Sequence, residues 1–253
     1  MSDALTTSLF SIFLVFCRIG GCVMFAPGFS SPRLPMQISL FVAVGITAAV
    51  APLVTTGMAA TLSGMTSADQ IFLILSETLA GAAIGIMARI FVLALQFAAT
   101  AVASFIGLAG IPGVPLEETE SGSPLATLAS AAAVMLMMHM GLHLELLAAV
   151  IDSYSAIRPG GVVPIEALTS NLLDTVSETW LLALRLAGPF LLYGVIVNSA
   201  LGLANRFAQQ ISAYHASSGA VILGGLMLAY LIWADWMNIF LDAYQSWLQR
   251  GGF

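Results

Sequence analysis

Charge is what this sequence has least of. Only 8% of its 253 residues are Asp, Glu, Lys or Arg, where a soluble domain carries roughly 25% because its surface must face water. Lysine is absent, and the seven basic residues are arginines scattered singly along the chain. Nucleic-acid binding and polybasic attachment to a lipid surface therefore have no footprint, and no nucleic-acid partner is expected. Cysteine is nearly absent too. Cys17 and Cys22 lie on different faces of one apolar run, which argues against a disulfide or a CxxC site. GxSxG, Walker A and GxGxxG motifs are all missing. Without a nucleotide or catalytic motif the chain reads as a conduit or scaffold rather than an enzyme, with no cofactor.

What fills the sequence instead is apolar. Hydrophobic residues make up 59% of it, and its mean hydropathy is +0.99. Such a chain cannot cover itself with polar side chains, so lipid is the expected solvent. The length accommodates about five to seven spans at ~20 residues each plus connections. The N-terminal run offers Asp3 and no basic residue before it, so it reads as a retained span rather than a secretory signal.

Turn chemistry divides the apolar stretches. Leu9–Phe25 ends in a breaker-dense connection with Pro27, Gly28, Pro32 and Pro35. Ile38–Val54 follows, then a small-polar linker to Ser67 and a long run from Ile71 to Gly107. As one straight helix that run would measure about 55 Å, against a ~30 Å hydrocarbon core. It is either a broken hairpin or a helix that protrudes from the bilayer. Leu125–Ile151 reads as the next span, followed by a polar connection over 152–178. The C-terminal part reads as a hairpin: Thr179–Leu203, broken at Gly188-Pro189, then a polar tip and Ala220–Leu241. The fold class is all-α, a polytopic helical membrane protein built of helical hairpins.

Orientation does not follow from the charges. With one crossing by 71–107, Arg33 and Arg206 fall on one side and Arg158 and Arg250 on the other, a tie under the positive-inside rule.

Several ionisable residues interrupt the apolar stretches: Arg18, Glu77, Arg89, His139, His143, Glu145, Arg185 and Asp235. A charged group facing lipid at mid-bilayer costs at least ~2.5–3.5 kcal/mol. These side chains are expected to face protein, water or a lumen. Glu77 and Arg89 are ~18 Å apart along one helix, so their partners must come from elsewhere. Gly81 and Gly85 form a GxxxG that serves either packing within the chain or a subunit interface. Met135, Met137, Met138 and Met140 form a soft patch suited to core packing. His139 and His143 would share a helix face, as a metal site needs. The zinc-hydrolase Glu is missing after the first of them, however, and Glu145 would point away. No metal is expected.

Between spans, residues 107–124 combine Gly107, Gly110, Gly113 and Gly122 with Pro112, Pro115 and Pro124, which rules out a regular helix. The same stretch carries Leu108, Ile111, Val114 and Leu116, and then Glu117, Glu118 and Glu120. Irregular backbone at membrane depth is acceptable where it lines or fills a protein cavity.

The order of short motifs resembles one family over nearly the whole chain. Arg18-Ile-Gly-Gly, Ala26-Pro27, Pro32-Arg33-Leu-Pro35 and Ala51-Pro52 resemble the opening of FliR proteins. Gly141-Leu-His143-Leu, Asp152-Ser-Tyr and Pro159-Gly160 resemble that family's Gly-His span and exit loop. The stretch from Leu201 to Gln210, with Asn205 and Arg206, is similar to its Asn-Arg tip. Gln209 stands where the family usually has Pro, and Tyr214 where Phe is common.

The resemblance implies a subunit of the flagellar type III export gate in the bacterial inner membrane, at the basal body. Its implied partners are FliP, FliQ and FlhB, and unfolded exported proteins pass through its pore. Residues 1–178 would then be a FliP-like helical part and 179–253 a FliQ-like hairpin. Leu108, Ile111, Pro112, Gly113, Val114, Pro115 and Leu116 would form a pore plug. Asn205, Arg206, Gln209 and Gln210 would contact FlhB on the cytoplasmic side. The related virulence-secretion subunit SctT shares these features, and a small-solute secondary transporter would also carry buried charges and a broken helix.

Overall fold

The computed structural model describes residues 2–30, 35–55, 58, 62, 65–108, 123–157, 161, 164–207 and 213–251. Among them the chain forms seven helices and no strand. They are α1 (Ser2–Phe25), α2 (Met36–Val54), α3 (Ser67–Phe105), α4 (Pro124–His139), α5 (Leu142–Ala156), α6 (Ile165–Phe207) and α7 (Ala213–Gln249). Five are long and apolar enough to cross a membrane, and α4 with α5 can count as a sixth, broken span. The protein is a polytopic helical membrane protein.

Helix ends follow local chemistry. Before α3, Thr66 Oγ1 accepts from the Asp69 backbone N–H at 3.3 Å, while the Asp69 carboxylate accepts from the Thr66 N–H at 3.0 Å. This reciprocal capping satisfies donors that a helix start leaves orphaned. Ser123 Oγ accepts from the Ala126 N–H at 3.1 Å, with Pro124 in the first helical position. At the far end of α3, Gly107 takes φ +80°, a value that favours glycine, and stops the helix.

Three expectations are settled by the helices themselves. The run after Asp69 is a single helix, α3, of 39 residues. At ~1.5 Å per residue it is about 58 Å long, well beyond the hydrocarbon core. The expected single span over 125–151 is instead interrupted at Gly141, whose φ is +76°. The expected break at Gly188-Pro189 is absent, because α6 runs through Pro189. It also starts earlier than expected, at Ile165. Pro189 costs one helical hydrogen bond, a loss that did not end the helix.

The chain forms two compact units. The first comprises Met1–Phe91, Met137–Ser177 and Tyr244–Phe253. There α2 lays small side chains, Ala43, Thr47, Val50 and Ala51, inward, while Ile38, Phe41 and Val44 stay exposed. Met58 and Leu62 pack with Leu14 and Leu73. Phe91, Tyr244 and Trp247 cluster together, Phe91 edge-on to Tyr244 and the other two pairs tilted, with ring centroids 5.3 to 5.9 Å apart. The second unit comprises Val92–Leu136 and Glu178–Ala243. There Trp236 Nε1 donates to the Leu186 carbonyl at 3.0 Å, and Tyr193 Oη donates to the Val221 carbonyl at 2.6 Å. A Cβ at Gly225 would overlap the Ile106 side chain, so glycine sets that close approach.

Candidate functional site

The most polar buried point of the first unit is Arg18. Its position on the inward face of α1 places it among Leu14, Val15, Ile19 and Cys22. Such a site would be prohibitive for an unpaired guanidinium. Each of its three nitrogens has an acceptor. Nε donates to Glu77 Oε2 of α3 at 2.6 Å, Nη1 to Ser153 Oγ of α5 at 3.1 Å, and Nη2 to the Ile157 carbonyl at 3.2 Å. The guanidinium carbon also lies 3.9 Å from the centroid of the Tyr154 ring, in cation–π range. Glu77 therefore has the distant partner that its place on α3 demanded. Ser153 Oγ in turn donates to the Val150 carbonyl at 2.6 Å.

Close backbone approach makes this network possible. A Cβ on Gly81 would overlap the Arg18 carbonyl, and one on Gly85 would lie 2.5 Å from the Cys22 carbonyl oxygen. On α1, a Cβ on Gly21 would lie 2.6 Å from the Thr78 carbonyl oxygen. The GxxxG thus serves packing within the chain, against α1. Nearby, Ser76 Oγ donates to the Gly161 carbonyl at 3.0 Å and ties α3 to the segment before α6.

The other ionisable residues of the apolar stretches divide sharply. Arg89, His139, Arg185 and Asp235 are exposed on the chain. His143 and Glu145 are half-buried on α5, where Glu145 Oε1 accepts from Gln245 Nε2 at 3.2 Å. Among the described residues, His143 Nδ1 and Glu145 Oε2 have no hydrogen bond. The helical spacing expected to put His139 and His143 on one face fails, because Gly141 breaks the helix between them. Among the described residues, no group of three or more His, Cys, Asp or Glu side chains could hold a metal ion.

Of the plug residues, Leu108 is half-buried beside Gly107. Ile111, Pro112, Gly113, Val114, Pro115 and Leu116 lie outside the described residues. At the tip of the α6–α7 hairpin Asn205 and Arg206 are exposed at the end of α6, whereas Gln209 and Gln210 lie outside the described residues. Nothing local in the sequence marks the α5 partners of Arg18 as a site. Ser153 and Tyr154 were visible only as part of a motif, with nothing local to mark what they contact.

A buried cation tying three helices, long apolar helices and charges left on their outer faces define a helical membrane protein built for assembly. The chain matches the family model described as "Bacterial export proteins, family 1" over residues 9–247, and it belongs to that family. It is similar to "Flagellar biosynthetic protein FliR" of Caulobacter vibrioides, with 28% identity over 93% of each chain. It is also similar to "Flagellar biosynthetic protein FliR" of Escherichia coli, with 27% identity over 78% of this chain and 74% of the relative. The protein is a membrane-embedded component of a bacterial export apparatus.

Proposed function

We propose that this chain is a FliR-type subunit of the flagellar type III export gate, forming part of the pore through which unfolded flagellar proteins leave the cytoplasm. Two relatives that both carry the flagellar name, one of them matching along 93% of this chain, are the observation that carries this reading over the virulence-secretion alternative. A secondary transporter loses the broken helix as a support, because α6 continues through Pro189. The subunit sits in the inner membrane at the basal body, assembles with FliP, FliQ and FlhB, and performs no catalysis. Its residues 1–178 act as a FliP-like part and 179–253 as a FliQ-like hairpin. Residues 108 and 111–116 form the plug, and the tip around Asn205, Arg206, Gln209 and Gln210 meets FlhB.

A subunit of this kind needs its partners. Arg89, Arg185 and Asp235 are exposed within apolar helices, and lipid alone does not accommodate them. Expressed alone, the chain should be degraded or aggregate in detergent, and co-expression with FliP and FliQ should rescue it. A single-species, cooperatively melting monomer would overturn the reading. A cysteine at position 206 should crosslink to FlhB, and its labelling from the periplasm would refute the tip assignment.

A further inference from the structure

In the second unit, α6 and α7 pair antiparallel. Tyr193 on α6 meets Val221 near the start of α7, and Leu186, earlier on α6, meets Trp236, later on α7. Arg185 and Asp235 each precede a facing residue of the second contact by one position. One residue is roughly 100° around a helix, and in an antiparallel pair those two rotations turn to the same side. Asp242 lies seven residues beyond Asp235, about two turns on, and so continues that face.

All three side chains are exposed, and none has a hydrogen bond or ion pair among the described residues. Around them lie exposed Leu181 and Leu192 on α6 and Leu231 on α7. Lipid would accept these leucines and reject the charges, and water would do the reverse. A protein surface accepts both.

We propose that the side of the α6–α7 hairpin carrying Arg185, Asp235 and Asp242 is a docking surface for transmembrane helices of another protein chain. Those helices set basic side chains opposite the two aspartates and a carboxylate opposite the arginine. A second copy of this chain is the poorer occupant, because it would bring the same surplus of acid. The proposal rests on the gate reading and specifies which face meets a partner and with what charges.

The test uses the affinity-tagged full chain co-expressed with FliP and FliQ. Arg185→Glu and Asp235→Arg are compared singly and together. Each single reversal should lower recovery of the partner subunits at least ten-fold, and the double reversal should not restore it, since each charge answers a fixed group on the partner. Restoration by the double reversal would mean that the two residues pair with each other, and unchanged recovery in the singles would mean that no partner meets them. Either result overturns the proposal. A photocrosslinking residue at Leu181 or Leu231, with all charges native, checks the same face without relying on charge-reversal variants. Crosslinks to a partner subunit support the surface, and crosslinks only to lipid or to a second copy refute it. If the unaltered chain recovers no subunit at all, the gate reading itself fails, and this surface with it.

Discussion

Arg18 Nε lies 2.6 Å from Glu77 Oε2, with both side chains only 1% exposed. The pair joins α1 to α3 across 59 residues of sequence, and the other two nitrogens of the guanidinium each donate once, to Ser153 of α5 and to the Ile157 carbonyl that follows it. Burying two charges is expensive, and a buried pair is no automatic gain in stability over well-packed apolar side chains. Its consequence is asymmetry: either charge alone is far worse than both or neither.

Removing one partner should therefore be severe. Arg18→Met or Glu77→Leu should each cost about 3–5 kcal/mol by stranding the other charge. The double replacement, Arg18→Met with Glu77→Leu, should recover most of that loss. Protein level and thermal melting of the co-expressed complex measure it. Additive losses in the double variant would show that the two residues do not act as a pair.

Two glycines should respond oppositely to alanine. At Gly81 the new methyl would overlap the Arg18 backbone carbonyl, and at Gly188 it would meet nothing within 4 Å. Gly81→Ala should push α1 off α3 and lower stability by about 1–3 kcal/mol or more. Gly188→Ala, in a helix interior, should be neutral or stabilising by up to about 1 kcal/mol. Melting temperatures of the two variants side by side decide the matter, and equal losses would contradict the packing.

Deleting residues 111–118 tests the plug. The deletion should leave the gate assembled and make membranes that contain it permeable to ions or small solutes. An assembled deletion variant in membranes as tight as those with the intact chain would rule out the plug role.

Sequence alone determined the solvent and the helices. Scarce charge and long apolar runs required lipid and α-helix, since in a bilayer each backbone group must find its partner within its own helix or a closed barrel. Helix ends were equally local: Thr66 with Asp69, Ser123 with Pro124, and Gly107 each act within a few residues. The family was legible too, because motif order survives where single residues vary.

Three other matters were decided only in three dimensions. Glu77 signalled that it needed a partner but not that the partner was Arg18, because ion pairing depends on which helices touch. The chain breaks at Gly141 and stays helical across Pro189, although proline is the stronger local breaker. A lost hydrogen bond can be outweighed by packing along 43 residues of helix. Likewise Arg18 and Arg185 look alike in sequence, each an arginine in an apolar run. One is enclosed by α3 and α5 and the other is left on an outer face, a difference set by which side of each helix the neighbouring helices cover.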